Sequence, residues 1–255
     1  MTSIEGVWGV TDENNIYCLE TRNGRLDIIG QLEGVAPGED IYAARFIGTR
    51  GFLVTFVKVD PLFTIDLTDP TNPVIAGELH VPGYSDYIHP LGNDHLITIG
   101  KNTILENGTV WYQGLQLSIF DISDFADPQL LHTELIGDRG TESLALDDHK
   151  AFTFWAENGL LAIPVSLYEY HGEPEHPYSY GDFSFDGLYV YRVTIEGGFE
   201  YLGRIRTGDE PYTYNWLRGV FIEQDVYAVN KEAVRSASIE NIEGSINTLF
   251  LPGSD

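Results

Sequence analysis

The chain has 255 residues, with 39 Asp and Glu against 14 Lys and Arg, for a formal charge of -25. So acidic a surface repels nucleic-acid phosphates and anionic headgroups, which excludes DNA, RNA and membrane-surface binding from the expected functions. No stretch approaches the roughly 18 apolar residues of a membrane helix, which excludes membrane insertion by that route, and the single Cys18 allows no intrachain disulfide.

Helix signals are nearly absent. Apolar residues alternate and Gly and Pro punctuate at short intervals, as many short strands require. The first predicted unit, residues 1–38, holds strands at 6–10, 16–19 and 26–32, the last two joined by an Asn23-Gly24 hairpin turn. The second, 39–82, has strands at 42–47, 52–56, 62–67 and 74–79. The third, 83–137, has strands at 86–91, 95–99, 115–122 and 129–136, interrupted by a polar insertion at 101–114. That insertion carries Asn107-Gly108-Thr109, a glycosylation acceptor in a secretory route and an ordinary turn otherwise. The fourth, 138–208, has strands at 142–146, 151–155, 160–165, 188–194 and 199–206, one more than the others. It also carries an aromatic and acidic stretch at 168–187. The fifth, 209–255, has strands at 216–222, 226–229, 234–239 and 246–251.

One segment is written twice. Leu62-Phe63-Thr64-Ile65-Asp66-Leu67-Thr68-Asp69 returns as Leu117-Ser118-Ile119-Phe120-Asp121-Ile122-Ser123-Asp124, and each copy runs on to Pro73 or Pro128 and another strand. A supersecondary unit repeated about every 50 residues marks a radial or solenoid array. The expected fold is all-β, a single-domain β-propeller of about five four-stranded blades or an arc of a larger one. The first unit is one strand short, so ring closure would borrow a strand from the other terminus. Asp66, Asp69, Asp121 and Asp124 are expected to accept backbone N–H bonds within their turns, with calcium ligation as the alternative.

A second line of support comes from runs of residues. They are Gly38-Glu39-Asp40-Ile41-Tyr42-Ala43-Ala44-Arg45-Phe46-Ile47-Gly48, Val54-Thr55-Phe56-Val57-Lys58-Val59-Asp60-Pro61-Leu62-Phe63, and Pro82-Gly83-Tyr84-Ser85-Asp86-Tyr87-Ile88-His89-Pro90. Gly137-Asp138-Arg139-Gly140, His149-Lys150-Ala151-Phe152 and Leu160-Leu161-Ala162-Ile163-Pro164-Val165 extend them. Over residue 14 to the end, the chain resembles bacterial and archaeal secreted proteins with a C-terminal β-propeller domain distantly related to WD40 repeats. The resemblance implies an extracytoplasmic or cell-surface setting, with no established activity or cofactor. The chain departs from the pattern in lacking a signal peptide and in matching the C-terminal part of that domain.

No Gly-x-Ser-x-Gly elbow, His-Glu-x-x-His helix, phosphate loop or dinucleotide fingerprint is present, so no catalytic residue is assigned. Aligning the first strands of successive units puts Arg45 and His89 at one position, with Tyr87, Glu142 and Arg218 nearby. With His149 these are the candidates for a central funnel that grips a small anionic or sugar-like ligand. The structural alternative is a set of ion pairs, Arg45 with Asp60 or Asp86, which makes Arg45→Ala an expected destabiliser. Tyr168, Tyr170, Tyr178 and Tyr180 are candidates for a binding loop or a packed flap. Asp138, Glu142, Asp147 and Asp148 are weak candidates for a calcium site, and no other cofactor is expected. The leading expectation is a non-catalytic binding or scaffolding module for a protein, peptide or carbohydrate. The alternative is a polysaccharide hydrolase or lyase using funnel carboxylates.

Overall fold

The computed structural model describes residues 2–5, 13–56, 60–210 and 216–252. They form five sheets, one of three strands and four of four. The first is β1 (Thr2–Glu5), β2 (Glu13–Arg22) and β3 (Arg25–Val35), and the expected strand at 6–10 lies outside the described residues. The second is β4 (Asp40–Ile47), β5 (Arg50–Phe56), β6 (Asp60–Asp66) and β7 (Val74–Val81). The third is β8 (Tyr84–Leu91), β9 (His95–Glu106), β10 (Thr109–Asp121) and β11 (Gln129–Ile136). The fourth is β12 (Thr153–Trp155), β13 (Leu160–Glu169), β14 (Asp182–Thr194) and β15 (Gly198–Gly208). The fifth is β16 (Arg218–Ile222), β17 (Asp225–Val229), β18 (Ala233–Ser238) and β19 (Asn247–Phe250). Strand order within each sheet follows chain order.

Two expectations are corrected. Residues 101–114 are not a loop insertion: β9 continues to Glu106 and β10 starts at Thr109. Asn107 and Gly108 close this long hairpin with φ of 51° and 81°, the same left-handed pair that Asn23 and Gly24 adopt at 52° and 75°. The fourth sheet has four strands, because 142–146 is not a strand. Glu142 makes a single bridge to Ser166, and Leu144–Asp147 is one turn of helix (α1). Ser143 decides this locally, since its Oγ accepts from Ala145 N at 3.1 Å and donates to the Pro164 carbonyl at 2.6 Å. Asp148 then caps a 3-10 turn at His149–Ala151 by accepting from Lys150 N.

The described chain divides into two compact units, Met1–Thr98 with Phe120–Leu130, and Ile99–Ile119 with Leu131–Asp255. In the first, Ala43, Phe52, Val54, Leu62, Val81, Ile88, Leu96, Phe120 and Ile122 form one core cluster, and Ile16, Val35, Leu53, Phe63 and Ile65 another. β5 is buried at every position from Gly51 to Phe56, as a strand packed on both faces requires. In the second unit, Ala162, Leu188, Val190, Ile205, Leu217, Val226, Ala228, Ala237 and Ile242 form the core.

The duplicated Asp turns are built by their own side chains. Asp66 Oδ1 accepts from Thr68 N and Oγ1, Asp69 Oδ1 from Thr71 N and Oγ1, Asp121 Oδ1 from Ser123 N, and Asp124 Oδ1 from Ala126 N. The hydrogen bonds hold the carboxyls of Asp66, Asp69 and Asp121 below the usual range.

Each such turn also docks on the last strand of the preceding sheet, where a glycine makes room. A Cβ on Gly30 of β3 would lie 2.2 Å from the Pro70 carbonyl oxygen, and one on Gly77 of β7 would lie 2.6 Å from that of Ala126. In the second unit, a Cβ on Gly203 of β15 would meet Ile242 at 3.0 Å. At His132 of β11 the roles are exchanged: the bulky residue is on the strand, its Nε2 lies 2.8 Å from the Ile195 carbonyl, and the glycine, Gly198, is on the β14–β15 side. Cys18 is half-buried beside Tyr17, Phe46 and Leu67.

Candidate functional site

The funnel candidates fall into the two units separately: Arg45, Tyr87 and His89 in the first, and Glu142, His149 and Arg218 in the second. Arg45 lies on β4 and Tyr87 and His89 on one face of β8, the first strands of their sheets. The Tyr87 hydroxyl and His89 Nδ1 are 3.1 Å apart. Burial and then the Arg45 charge depress His89 to about 4, and burial raises Tyr87 despite Arg45, so both rings are neutral near pH 7. Arg45 Nε is buried without a hydrogen-bond partner, and Arg45 pairs with no carboxylate among the described residues. Asp86 is therefore not its counter-ion, and the Asp60 side chain lies outside the described residues. The destabilisation expected of Arg45→Ala loses its basis.

His89 has a measurable consequence. Between pH 6.5 and about 4 the unfolded chain takes up a proton at this residue and the folded chain does not. Folding stability therefore falls as pH falls through that window. His89→Gln will remove this contribution, on the order of 1–2 kcal/mol once its partial exposure is allowed for. Urea midpoints of both proteins at pH 7.5 and pH 5 check it: an unchanged gap between the two proteins at both values would refute it.

The second unit holds a cavity of about 230 Å³ walled by Glu142, Asp186, Asp209, Glu210 and Glu232 together with Ser166, Thr207 and Asn230. Local structure explains the placement of these groups. A register shift between Asp186 and Gly187 bulges β14 and re-aims Asp186, and a Cβ on Gly187 would lie 2.1 Å from the Ile205 carbonyl oxygen. Asp186 Oδ2 accepts from Thr207 Oγ1 at 3.4 Å, and burial pushes the Asp186 carboxyl up. Asn230 Oδ1 accepts from the Glu232 and Ala233 amides at 3.0 and 2.8 Å, which fixes the β17–β18 turn under Glu232. Glu142 is held by a 2.8 Å ion pair with Lys101, whose buried Nζ also donates to the Thr141 carbonyl. Arg206 lies 3.6 Å from Asp209.

Of these residues only Glu142 was singled out from sequence. Asp186 and Glu232 sit in a chain rich in carboxylates, where no residue pattern sets them apart. Arg218, only slightly exposed, pairs with Asp148 and stands over the Trp216 ring at 5.1 Å. His149 is exposed on the 3-10 turn.

The aromatic stretch packs against the β9–β10 hairpin. Gln113 Nε2 donates to the Pro177 carbonyl at 2.9 Å, and the Tyr178 ring lies 5.2 Å from Trp111 and stacks on His176 at 4.7 Å. The Arg139 guanidinium sits 4.6 Å from the Tyr180 ring and 5.5 Å from Trp111. Tyr170 donates to the Ser179 carbonyl, and Tyr168 meets Phe183 edge-on at 5.8 Å. Tyr178 and Tyr180 nevertheless keep 47% and 68% of their surface in solvent. Of the weak metal candidates, Asp138 Oδ2 accepts from Tyr170 N and Asp148 is committed to Lys150 N and Arg218. Among the described residues no three His, Cys, Asp or Glu gather closely enough to hold a metal ion, and no helix is long and apolar enough to cross a membrane.

A family model described as a beta propeller domain matches residues 2–242. The chain is similar to an uncharacterized protein of Archaeoglobus fulgidus, 35% identical over 223 residues, covering 88% of this chain and 29% of that protein. It is 44% identical over 126 residues to an uncharacterized protein of Methanocaldococcus jannaschii, covering 49% of this chain and 18% of that protein. The chain thus spans less than a third of the length of these relatives. Among solved structures it is similar to apo AztD from Citrobacter koseri, with a TM-score of 0.48 and 11% identity over 99% of this chain and 60% of that one. It is also similar to a Synechocystis apocarotenoid oxygenase variant, with a TM-score of 0.39 and 13% identity over 94% and 56%.

Proposed function

Since this chain belongs to the beta propeller domain family, we propose that it is a non-catalytic binding module, part of an exported or cell-surface protein, that recognises a cationic group. One observation carries the reading: five carboxylate residues line one cavity of about 230 Å³, and among the described residues two cations, Lys101 and Arg206, pair with them. A net-negative concavity attracts an ammonium or guanidinium and strengthens charge-assisted hydrogen bonds to it. The amides and hydroxyls of Asn230, Ser166 and Thr207 add neutral partners, and Leu144 and Leu217 supply an apolar wall suited to the methylene stem of a lysine or polyamine. The exported setting rests on the resemblance to secreted propeller proteins alone.

Spermidine is the probe. Calorimetric titration is expected to show saturable binding, weakened about tenfold or more by Glu232→Gln with Asp209→Asn. Equal binding by the double variant, or heat that only tracks ionic strength, would refute the reading. The second reading is a polysaccharide hydrolase or lyase. The elevated Asp186 carboxyl favours it, being suited to give a proton in a cavity lined by further carboxylates. Release of reducing ends from an acidic or neutral polysaccharide, lost in Asp186→Asn, would establish that reading instead.

A further inference from the structure

We propose that Arg45, flanked by Tyr87 and His89, is a binding site for a carboxylate-bearing ligand, separate from the acidic cavity and opposite to it in charge. The chain has 39 acidic side chains and 14 Lys and Arg, so a counter-ion for any arginine is easy to supply from within. Arg22, Arg50, Arg192, Arg204, Arg206 and Arg218 each reach a carboxylate within 4 Å. Arg139 is seated between two aromatic rings and donates to the Tyr112 carbonyl. Among the described residues Arg45 has neither arrangement, although its Nε is buried without a hydrogen-bond partner; Arg139 Nε and Arg235 Nη1 are buried in the same way, and what sets Arg45 apart is the pair of neutral polar rings, Tyr87 and His89, within reach of its charge. A guanidinium does not lose its proton, and a buried N–H of a partly exposed guanidinium left without a partner costs free energy that an anionic ligand would return.

The neighbours fit that supply. Tyr87 and His89 are two residues apart on one strand face, 3.1 Å from each other through the hydroxyl and Nδ1. Both stay neutral beside Arg45, so neither competes for the anion or repels the guanidinium, and each brings a polar group next to the charged fork. Ala43, two residues before Arg45 on β4, is small and buried, and Ile88 between the two rings points into the core, so the pair of strands is rigidly anchored. A rigid site loses little on binding.

Charge decides between oxyanions. The guanidinium fork matches two coplanar oxygens, which a carboxylate and a phosphate both present. The surrounding chain carries -25, and its field opposes a dianion twice as strongly as a monoanion. A monovalent carboxylate, whether a free acid or the acidic group of a sugar, is therefore the favoured ligand.

The test uses the whole chain and three anions at matched ionic strength, with chloride as reference: acetate, glucuronate and inorganic phosphate. Acetate and glucuronate are expected to raise the melting temperature above the chloride value in a saturable way. A stronger effect of glucuronate assigns the site to a sugar acid, and equal effects assign it to carboxylates in general. Arg45→Gln is expected to melt at the wild-type temperature in chloride and to lose the response. Arg45→Lys, which keeps the charge without the fork, is expected to bind about tenfold more weakly. If Arg45→Gln does not fold, the comparison of wild type with Arg45→Lys stands in its place. Equal responses to acetate and chloride, a response to phosphate alone, or an unchanged response in the Arg45 variants would each overturn the proposal. Spermidine binding at the acidic cavity is unaffected by Arg45→Gln, so the two sites fail or succeed independently.

Discussion

Gly77→Val will destabilise the first unit by about 3 kcal/mol or more, as expected for overpacking against immovable backbone. Gly77 is buried on β7 and its missing Cβ would come within 2.6 Å of the Ala126 carbonyl oxygen, 2.8 Å of its carbon and 2.9 Å of the Phe125 oxygen. These are backbone atoms of a turn already fixed by Asp124 and by Thr64 Oγ1, which donates to the Phe125 carbonyl at 2.6 Å. The turn can retreat only by giving up those bonds. Chemical denaturation of Gly77→Val against Gly24→Ala separates steric from conformational cost, because Gly24 has open space around it but φ of 75°. A loss at Gly77 no larger than at Gly24 would disprove the docking account.

Phe52→Ala will cost about 3–5 kcal/mol. Phe52 has no exposed surface, lies in the main core cluster of its unit, and meets Phe125 edge-on at 5.7 Å and 88°. Its backbone partner across the ladder is Arg45, so the cavity left by the ring also loosens the strand beneath the proposed anion site. A double-mutant cycle with Phe125→Leu is expected to return about 0.5–1.5 kcal/mol for the aromatic pair itself. A loss below about 2 kcal/mol for Phe52→Ala would mean the sheet collapses onto the vacancy.

What could be read from the residues, and what could not, follows from range. The duplicated Leu62–Asp69 and Leu117–Asp124 words named both the strands and their turns, because Asp-to-amide bonds act over two residues and need no tertiary help. Asn23-Gly24 was legible for the same reason. Asn107-Gly108 reads as a turn by the same chemistry, but Lys101, Asn102 and Glu106 make its flanks look like loop, whereas β9 and β10 pair through them and Trp111 and Gln113 pack on the aromatic stretch. Residues 142–146 alternate like a strand, yet the Ser143 cap and the Pro164 carbonyl, distant in sequence, turn them into helix.

The site was half-visible. Aligning first strands puts Arg45 and His89 at equivalent positions, and in the structure the Arg45 charge acts on the His89 ring. No pair between Arg45 and Asp86 forms, because abundance of acid in a sequence says nothing about reach. Asp186 was hidden altogether: a bulge turns it into the cavity, and a bulge depends on the register of three strands.

The exchange of partners at His132 and Gly198 has a consequence for how such a chain can be rebuilt. Elsewhere the slot is on the strand and the plug on the following turn; here plug and slot have traded places. A duplicated or transplanted blade would arrive at that seam with two bulky partners or with two empty ones, so modules are interchangeable at three seams and keyed at the fourth. That one mismatch fixes the order of the blades more firmly than their shared shape does.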